Sequence, residues 1–152
     1  KILIYMQNRR NISLEEIYKL TNLSENFSIN ELVDNSLSKN IQKTSEIINE
    51  SNYKSEDGVL ILRTFLQKAK RLLSLYEKQA KSESIDSLIN NHKPPIFWKD
   101  KPIVKKHLEN WSKPRVEDLI ININKTESFL KRNSSIGLML VFNFIYEASN
   151  RG

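Results

Sequence analysis

The residues most suited to binding chemistry form one short aromatic and basic segment, Phe97-Trp98-Lys99-Asp100-Lys101. Aromatic faces stack on bases and fill pockets at protein interfaces, and flanking lysines can supply a cationic rim. We therefore take Phe97, Trp98, Lys99 and Lys101 as candidate interface residues. We expect one ring to point inward and the other to be available to a partner. The alternative is that both rings pin the loop that carries them to the rest of the fold.

Catalytic chemistry is not evident in this sequence. There is no Cys, so a thiol nucleophile and a thiolate zinc site are excluded, and no glycine-rich phosphate loop is present. The two histidines, His92 and His107, are expected in a loop and on an exposed helical face, without metal-ligand spacing or a triad carboxylate. The acidic pairs Glu15-Glu16 and Glu117-Asp118 fit the first turns of helices. We expect no enzymatic activity, no cofactor and no metal.

The net charge of +6 permits contact with nucleic acid without establishing it. The basic residues are spread along the chain between acidic ones, which is typical of solvated helix faces. A stand-alone basic module that binds nucleic acid therefore remains an open alternative. The basic clusters are Lys68, Lys70 and Arg71; Lys99, Lys101, Lys105 and Lys106; and Lys131 with Arg132.

Two helix starts position the aromatic segment and the chain that follows it. Asp100 can cap a helix that begins at Lys101-Pro102, and Ser112 can cap one that begins at Lys113-Pro114. A proline is tolerated in the first turn of a helix, because its missing N–H is not needed there. Trp98 and Trp111 each stand just ahead of one of these caps. The pattern predicts a structured corner between two helices.

The longest predicted element is a helix from Asp57 to about Lys81. Its apolar residues are spaced by three and four, which predicts the central helix of a bundle rather than a dimeric coiled coil. Phe65 and Leu72 are placed at the edge of this stripe. The residues expected to be largely buried are Val59, Leu66, Leu73 and Tyr76.

The remaining elements are also predicted to be helices. Capping patterns at Ser13, Ser28 and Asn40 predict three short helices, and the apolar segment from Ile136 to Ala148 predicts a buried one. No apolar run is long enough to span a bilayer, and the absence of Cys is typical of intracellular proteins. We therefore expect an all-α helical bundle that is cytoplasmic and has no membrane partner.

In their order and spacing, these patterns resemble the C-terminal part of the delta subunit of bacterial DNA polymerase III. The resemblance covers most of the chain and depends on packing and capping motifs. Asp34-Asn35-Ser36 departs from the small apolar residues usual in the family after that Asp. The resemblance depends on the following motifs: Lys1 to Tyr5, Asn11 to Ile17, Ile29-Asn-Glu-Leu-Val-Asp34, Leu60-Ile-Leu-Arg63, Pro95-Ile-Phe-Trp98, Val104, Trp111 with Ser112, and Glu127-Ser-Phe-Leu-Lys131.

The resemblance implies that residues 1–10 end a helix of a preceding lid-like domain and that residues 11–152 form a helical collar domain. In this family the collar joins five related subunits into the clamp loader, which places the sliding clamp on primed DNA. The implied partners are the other clamp-loader subunits, with DNA contacted only indirectly. The delta subunit is AAA+-like without ATP hydrolysis, and it opens the clamp through an N-terminal domain that we expect this chain to lack.

Overall fold

The computed structural model describes residues 14–79, 84–133 and 136–150, and for residues 18–26 only the backbone. In these ranges the chain forms seven α-helices and no strand, which confirms the predicted all-α bundle. The segment 1–10, assigned above to a preceding domain, lies outside the described residues. The helices are α1 (Leu14–Leu37), α2 (Ile41–Glu50), α3 (Asp57–Lys78), α4 (Ile85–Asn90), α5 (Lys101–Asn110), α6 (Lys113–Arg132) and α7 (Gly137–Asn150).

Helix α3 is the central element of the bundle. It packs against α1, α6 and α7 on its long sides and against α4 and α5 near its end, and its most extensive contact is with α6. Phe65 is fully buried and meets Phe144 of α7 edge to face, with ring centroids 5.3 Å apart. Its other buried positions define one continuous face: Gly58, Ile61, Leu62, Ala69, Leu72 and Leu75.

The centre of that face differs from the prediction. Val59, Leu66, Leu73 and Tyr76 are only partly buried, whereas Phe65 and Leu72, which we placed at the edge, are at its centre. At about 100° per residue, Val59, Leu66 and Leu73 lie about 80–120° around the helix from Phe65. Because neighbouring helices cover α3 from several directions, apolar residues occur on a wide part of its circumference and not only on the face centred on Phe65. Spacing alone therefore identified the stripe but not its middle.

Helix α1 is continuous where two helices were predicted. Ser28, predicted to cap a second helix, lies inside α1, and its hydroxyl hydrogen-bonds those of Tyr53 at 2.8 Å and Ser51 at 3.1 Å. Leu14 has the apolar spacing of Ile17 and Leu20, which predicts one buried helix face, but it is 76% exposed. Residues 14–37 contain no Gly or Pro. The two predicted helices therefore have no helix-breaking residue between them and form one continuous helix. Ser13 lies outside the described residues.

Three other predicted helix starts are confirmed in position. Asn40 caps α2 by accepting a hydrogen bond from the Lys43 backbone N–H at 3.2 Å. Helices α5 and α6 begin after Asp100 and Ser112, each with a proline in its first turn, but neither side chain makes a capping hydrogen bond. The proline placement therefore identified these two starts, whereas the predicted capping bonds are absent.

The polar residues at the end of α1 have partners inside the fold. Asp34 pairs with Lys68 of α3, and the Ser36 hydroxyl hydrogen-bonds that of Ser149 of α7 at 2.9 Å. His107 of α5, predicted to be exposed, is fully buried, and its Nε2–H donates to the Asp34 carbonyl oxygen at 3.1 Å. The segment Asp34-Asn35-Ser36 therefore takes part in a hydrogen-bonded contact among α1, α3, α5 and α7.

Candidate functional site

The candidate interface residues come together on the turn that precedes α5. Phe97 and Trp98 are 57% and 67% exposed, and their rings touch one another with centroids 5.9 Å apart. The expectation that one ring points inward is therefore wrong. Ile96, the residue before them, takes the inward position and is buried. The turn thus presents both rings to solvent as one aromatic pair.

The two lysines have different positions around this pair. The Lys99 ammonium lies 5.4 Å from the centroid of the Trp98 ring, within the range of a cation–π contact. Lys101 reaches the other way and donates from Nζ to the Asn90 side-chain oxygen at 3.0 Å. Lys99 is therefore part of the aromatic surface, whereas Lys101 joins α5 to the end of α4.

The loop below the rings is anchored to the core. His92, which lies in the loop as predicted, is buried, and its Nδ1–H donates to the Pro94 carbonyl oxygen at 2.9 Å. The Asp100 backbone N–H donates to the Phe97 carbonyl oxygen at 2.9 Å, which closes the turn. Ile96 is buried between these two hydrogen bonds, so the backbone that carries the exposed rings is held in place.

Trp111, at the other end of α5, has the opposite environment. It is buried, and its Nε1–H donates to the Leu37 carbonyl oxygen at 2.8 Å. The single O–H of Tyr76 is shared between the carbonyl oxygens of Trp111 and Leu108, and burial raises the Tyr76 pKa. The two tryptophans precede similar Lys-Pro sequences, yet Trp111 fixes the corner while Trp98 remains on the surface.

Lys39 links this corner to the end of α7. It follows α1 in the left-handed region, at φ 62°, where glycine or asparagine is usual after a helix. Its Nζ donates to the Ala148 carbonyl oxygen at 2.6 Å and lies 3.7 Å from the Trp111 ring centroid. Burial, and secondarily the charge of Arg115, lower the Lys39 pKa to about 8.

Each of the three basic clusters has a member that lies beside an acidic side chain. Lys68 pairs with Asp34, Lys105 with Asp86 at 3.1 Å, and Lys131 lies 3.9 Å from the Glu127 carboxylate. In the part of the chain that the structure describes, no group of acids and histidines is arranged to hold a metal ion. Within the same ranges, no helix is both long and apolar enough to cross a membrane.

No protein-family model, curated protein or solved structure matches this chain. The exposed surface of the chain itself is therefore the basis on which a function can be assigned.

The sequence did not distinguish Lys68 and Arg71 from the basic residues of solvated helix faces. Lys68 and Arg71 were predicted to belong to a solvated helix face, but Lys68 is ion-paired and the Nε atom of Arg71 is buried. Both line a cleft beside the loop of His92. The signal available in the sequence was their spacing of three residues, which places both on one side of α3.

Proposed function

We propose that the chain is the collar domain of a delta-like clamp-loader subunit, a non-catalytic module that holds its subunit in the clamp-loader ring. The observation that carries this proposal is the exposed Phe97–Trp98 pair on an anchored turn. The all-α bundle has the architecture that such a collar requires. The order and spacing of the family-like motifs, including Pro95-Ile-Phe-Trp98, support the same assignment.

The aromatic pair has the properties of an interface anchor. Tryptophan is among the residues that most often dominate the binding energy of protein interfaces, and adjacent exposed rings are costly to leave in water. Two rings held by a closed turn lose little conformational freedom when a partner covers them. Lys99 beside Trp98 supplies a polar edge to the apolar patch. A neighbouring clamp-loader subunit is the partner that this surface is proposed to meet.

Replacing Phe97 and Trp98 together by alanine should leave the fold intact and weaken assembly. Both side chains are more than half exposed, so we expect the free energy of unfolding to change by less than about 1 kcal/mol. Loss of two anchor rings should weaken association with the other clamp-loader subunits at least about tenfold. Urea denaturation measures the first quantity, and titration calorimetry of the complete subunit with its partners measures the second.

The matched control is Phe129→Ala on α6, which removes a ring of similar exposure, 52%, from another part of the surface. This variant should assemble like the unsubstituted protein. Equal assembly by the double variant and the unsubstituted protein would remove the basis of the proposed interface. A loss of stability of several kcal/mol in the double variant would instead assign Phe97 and Trp98 a structural role.

A second candidate function is binding of single-stranded nucleic acid, favoured by the exposure of both rings beside Lys99. It makes a different prediction from the collar. Binding to an oligonucleotide should weaken steeply with salt and be lost in Trp98→Ala. Subunit association that persists at high salt, without oligonucleotide binding, would favour the collar.

A further inference from the structure

A third large ring is exposed on the cleft that Lys68 and Arg71 line. This cleft lies between α1, α3 and the loop before α5 and has a volume of about 790 Å³. Phe27 of α1 forms part of its wall and is 71% exposed, more than either ring of the Phe97–Trp98 pair. The described fold therefore leaves a large apolar side chain uncovered at this cleft.

The turn that carries the aromatic pair forms another wall of the same cleft. Lys93, Pro94 and Asp100 line the cleft, and Phe97 and Trp98 lie between them in the chain. The Asp100 backbone N–H donates to the Phe97 carbonyl oxygen at 2.9 Å and so closes the turn. The ring pair and this wall of the cleft are therefore parts of one ordered unit.

The aromatic pair alone is small for a stable interface. An aromatic side chain covers about 150–250 Å² when it is fully buried, so two half-exposed rings supply less than about 500 Å². Specific interfaces use about 800 Å² from each partner, which is a patch roughly 30 Å across. Asp100 lies three residues from Phe97, so the cleft wall begins within about 11 Å of the pair. A patch of ordinary size centred on the pair therefore extends over this wall, and Phe27 offers a further ring there.

The charges of the cleft favour an uncharged occupant. Its walls carry three basic and three acidic side chains, and Lys68 and Asp34 pair with each other. A charged group that entered would lose its hydration and would meet like charges as well as opposite ones. An apolar side chain avoids this cost and can cover the apolar wall residues, which are Phe27, Pro94 and Ile103.

We propose that Phe27 and the cleft belong to the same interface as the Phe97–Trp98 pair, and that the partner inserts an uncharged, apolar side chain into the cleft against Phe27. The proposal rests on the proposed function for the identity of the partner, a neighbouring clamp-loader subunit. Phe27 is the third anchor ring of the surface, and it lies on α1, whereas the other two lie on the turn before α5. Two anchoring elements fix the orientation of a partner, which a single turn does not.

The variant Phe27→Ala should leave the fold intact and weaken association of the complete subunit with its clamp-loader partners about tenfold. Titration calorimetry measures the association, and urea denaturation establishes that stability is unchanged. The matched controls are Phe129→Ala and Leu14→Ala, the second of which removes a 76% exposed apolar side chain about 20 Å away along α1. Both controls should bind within about twofold of the unsubstituted protein. Equal binding by Phe27→Ala and the controls would contradict the proposal.

The charge of the occupant is tested by Lys93→Gln and Glu31→Gln, which remove one charge of each sign from the walls of the cleft. Each variant should bind the partner subunits within about twofold of the unsubstituted protein, because an uncharged side chain makes no ion pair with either wall. A tenfold loss in Lys93→Gln would mean an acidic occupant, and the same loss in Glu31→Gln a basic one. Either result would overturn the proposed chemistry of the cleft.

Photocrosslinking distinguishes a failure of this proposal from a failure of the proposed function. The photoreactive residue p-benzoylphenylalanine is placed at Phe27, Trp98 or Phe129 of the complete subunit in living cells, and the products are identified by mass spectrometry. We expect the Phe27 and Trp98 positions to crosslink to the same clamp-loader subunit, and the Phe129 position not to crosslink to it.

The other products have separate meanings. A product at Trp98 without one at Phe27, or products with two different polypeptides, would overturn the shared interface and leave the proposed function in place. A shared product with a polypeptide outside the clamp loader would support the shared interface and remove the proposed function. Crosslinking of both positions to nucleic acid, or to nothing, would overturn both.

Discussion

Replacing Phe65 by alanine is expected to lower the free energy of unfolding by about 3–5 kcal/mol. The ring is fully buried at the centre of the α3 face and packs edge to face on Phe144. Its removal loses buried apolar area and leaves a cavity that α1, α6 and α7 must close around. Domains of this size are stable by about 5–15 kcal/mol, so the loss is a large share of the total. Urea denaturation followed by circular dichroism measures it.

The adjacent residue provides the control. Leu66 was predicted from spacing to be buried, but it is only partly covered, so Leu66→Ala should cost about 1–2 kcal/mol. The order of the two losses distinguishes the two assignments of the core face. A larger loss at Leu66 than at Phe65 would mean that the face centred on Phe65 is not the one that packs.

Acidification from about pH 6.5 to pH 4 is expected to remove about 3 kcal/mol of stability through His107 alone. Burial lowers the His107 pKa to about 4. The hydrogen bond to the Asp34 carbonyl oxygen and the charge of the Asp34 carboxylate act in the opposite direction and raise this pKa. The neighbouring charges of Lys68 and Arg71 lower it further. Because the unfolded chain has the higher pKa, it binds the proton first as the pH falls. The contribution of His107 to stability therefore decreases through this window and levels off below pH 4.

The variant His107→Gln isolates this contribution, because an amide can donate to the Asp34 carbonyl oxygen without titrating. Denaturation at pH 7, 6, 5 and 4 should show a flatter profile for the variant than for the unsubstituted protein. Carboxylates titrate in the same range and affect both proteins alike, so the difference between the profiles is the relevant quantity. Parallel profiles would show that His107 does not have the lowered pKa.

The sequence was sufficient for features that depend on local chemistry. The start of α3 at Asp57 and the starts of α5 and α6 next to their prolines were predicted, because helical period and proline placement act within one or two turns. The centre of the α3 face was not predicted, because it depends on which neighbours cover each side. The continuity of α1 was missed because Ser28 resembles a cap but hydrogen-bonds to Tyr53 instead.

The candidate site was predictable in the same partial way. Phe97 and Trp98 were identified from residue type, but the burial of Ile96 in their place depends on how the loop meets the core. The burial of His107 depends on Asp34, which is 73 residues away in the chain. A local signal did exist, since Val104, His107, Leu108 and Trp111 follow the spacing of one helical face.

The contact between Ser36 and Ser149 has a consequence for folding during synthesis on the ribosome. These hydroxyls are 113 residues apart, and both side chains are buried. At about 5–20 residues per second, a ribosome makes the second serine roughly 6–23 s after the first. Throughout that interval the nascent α1 lacks the helix that covers Ser36, and its apolar neighbours Leu32 and Leu37 have an incomplete core around them. The newly made chain is therefore exposed to chaperones and proteases until α7 emerges.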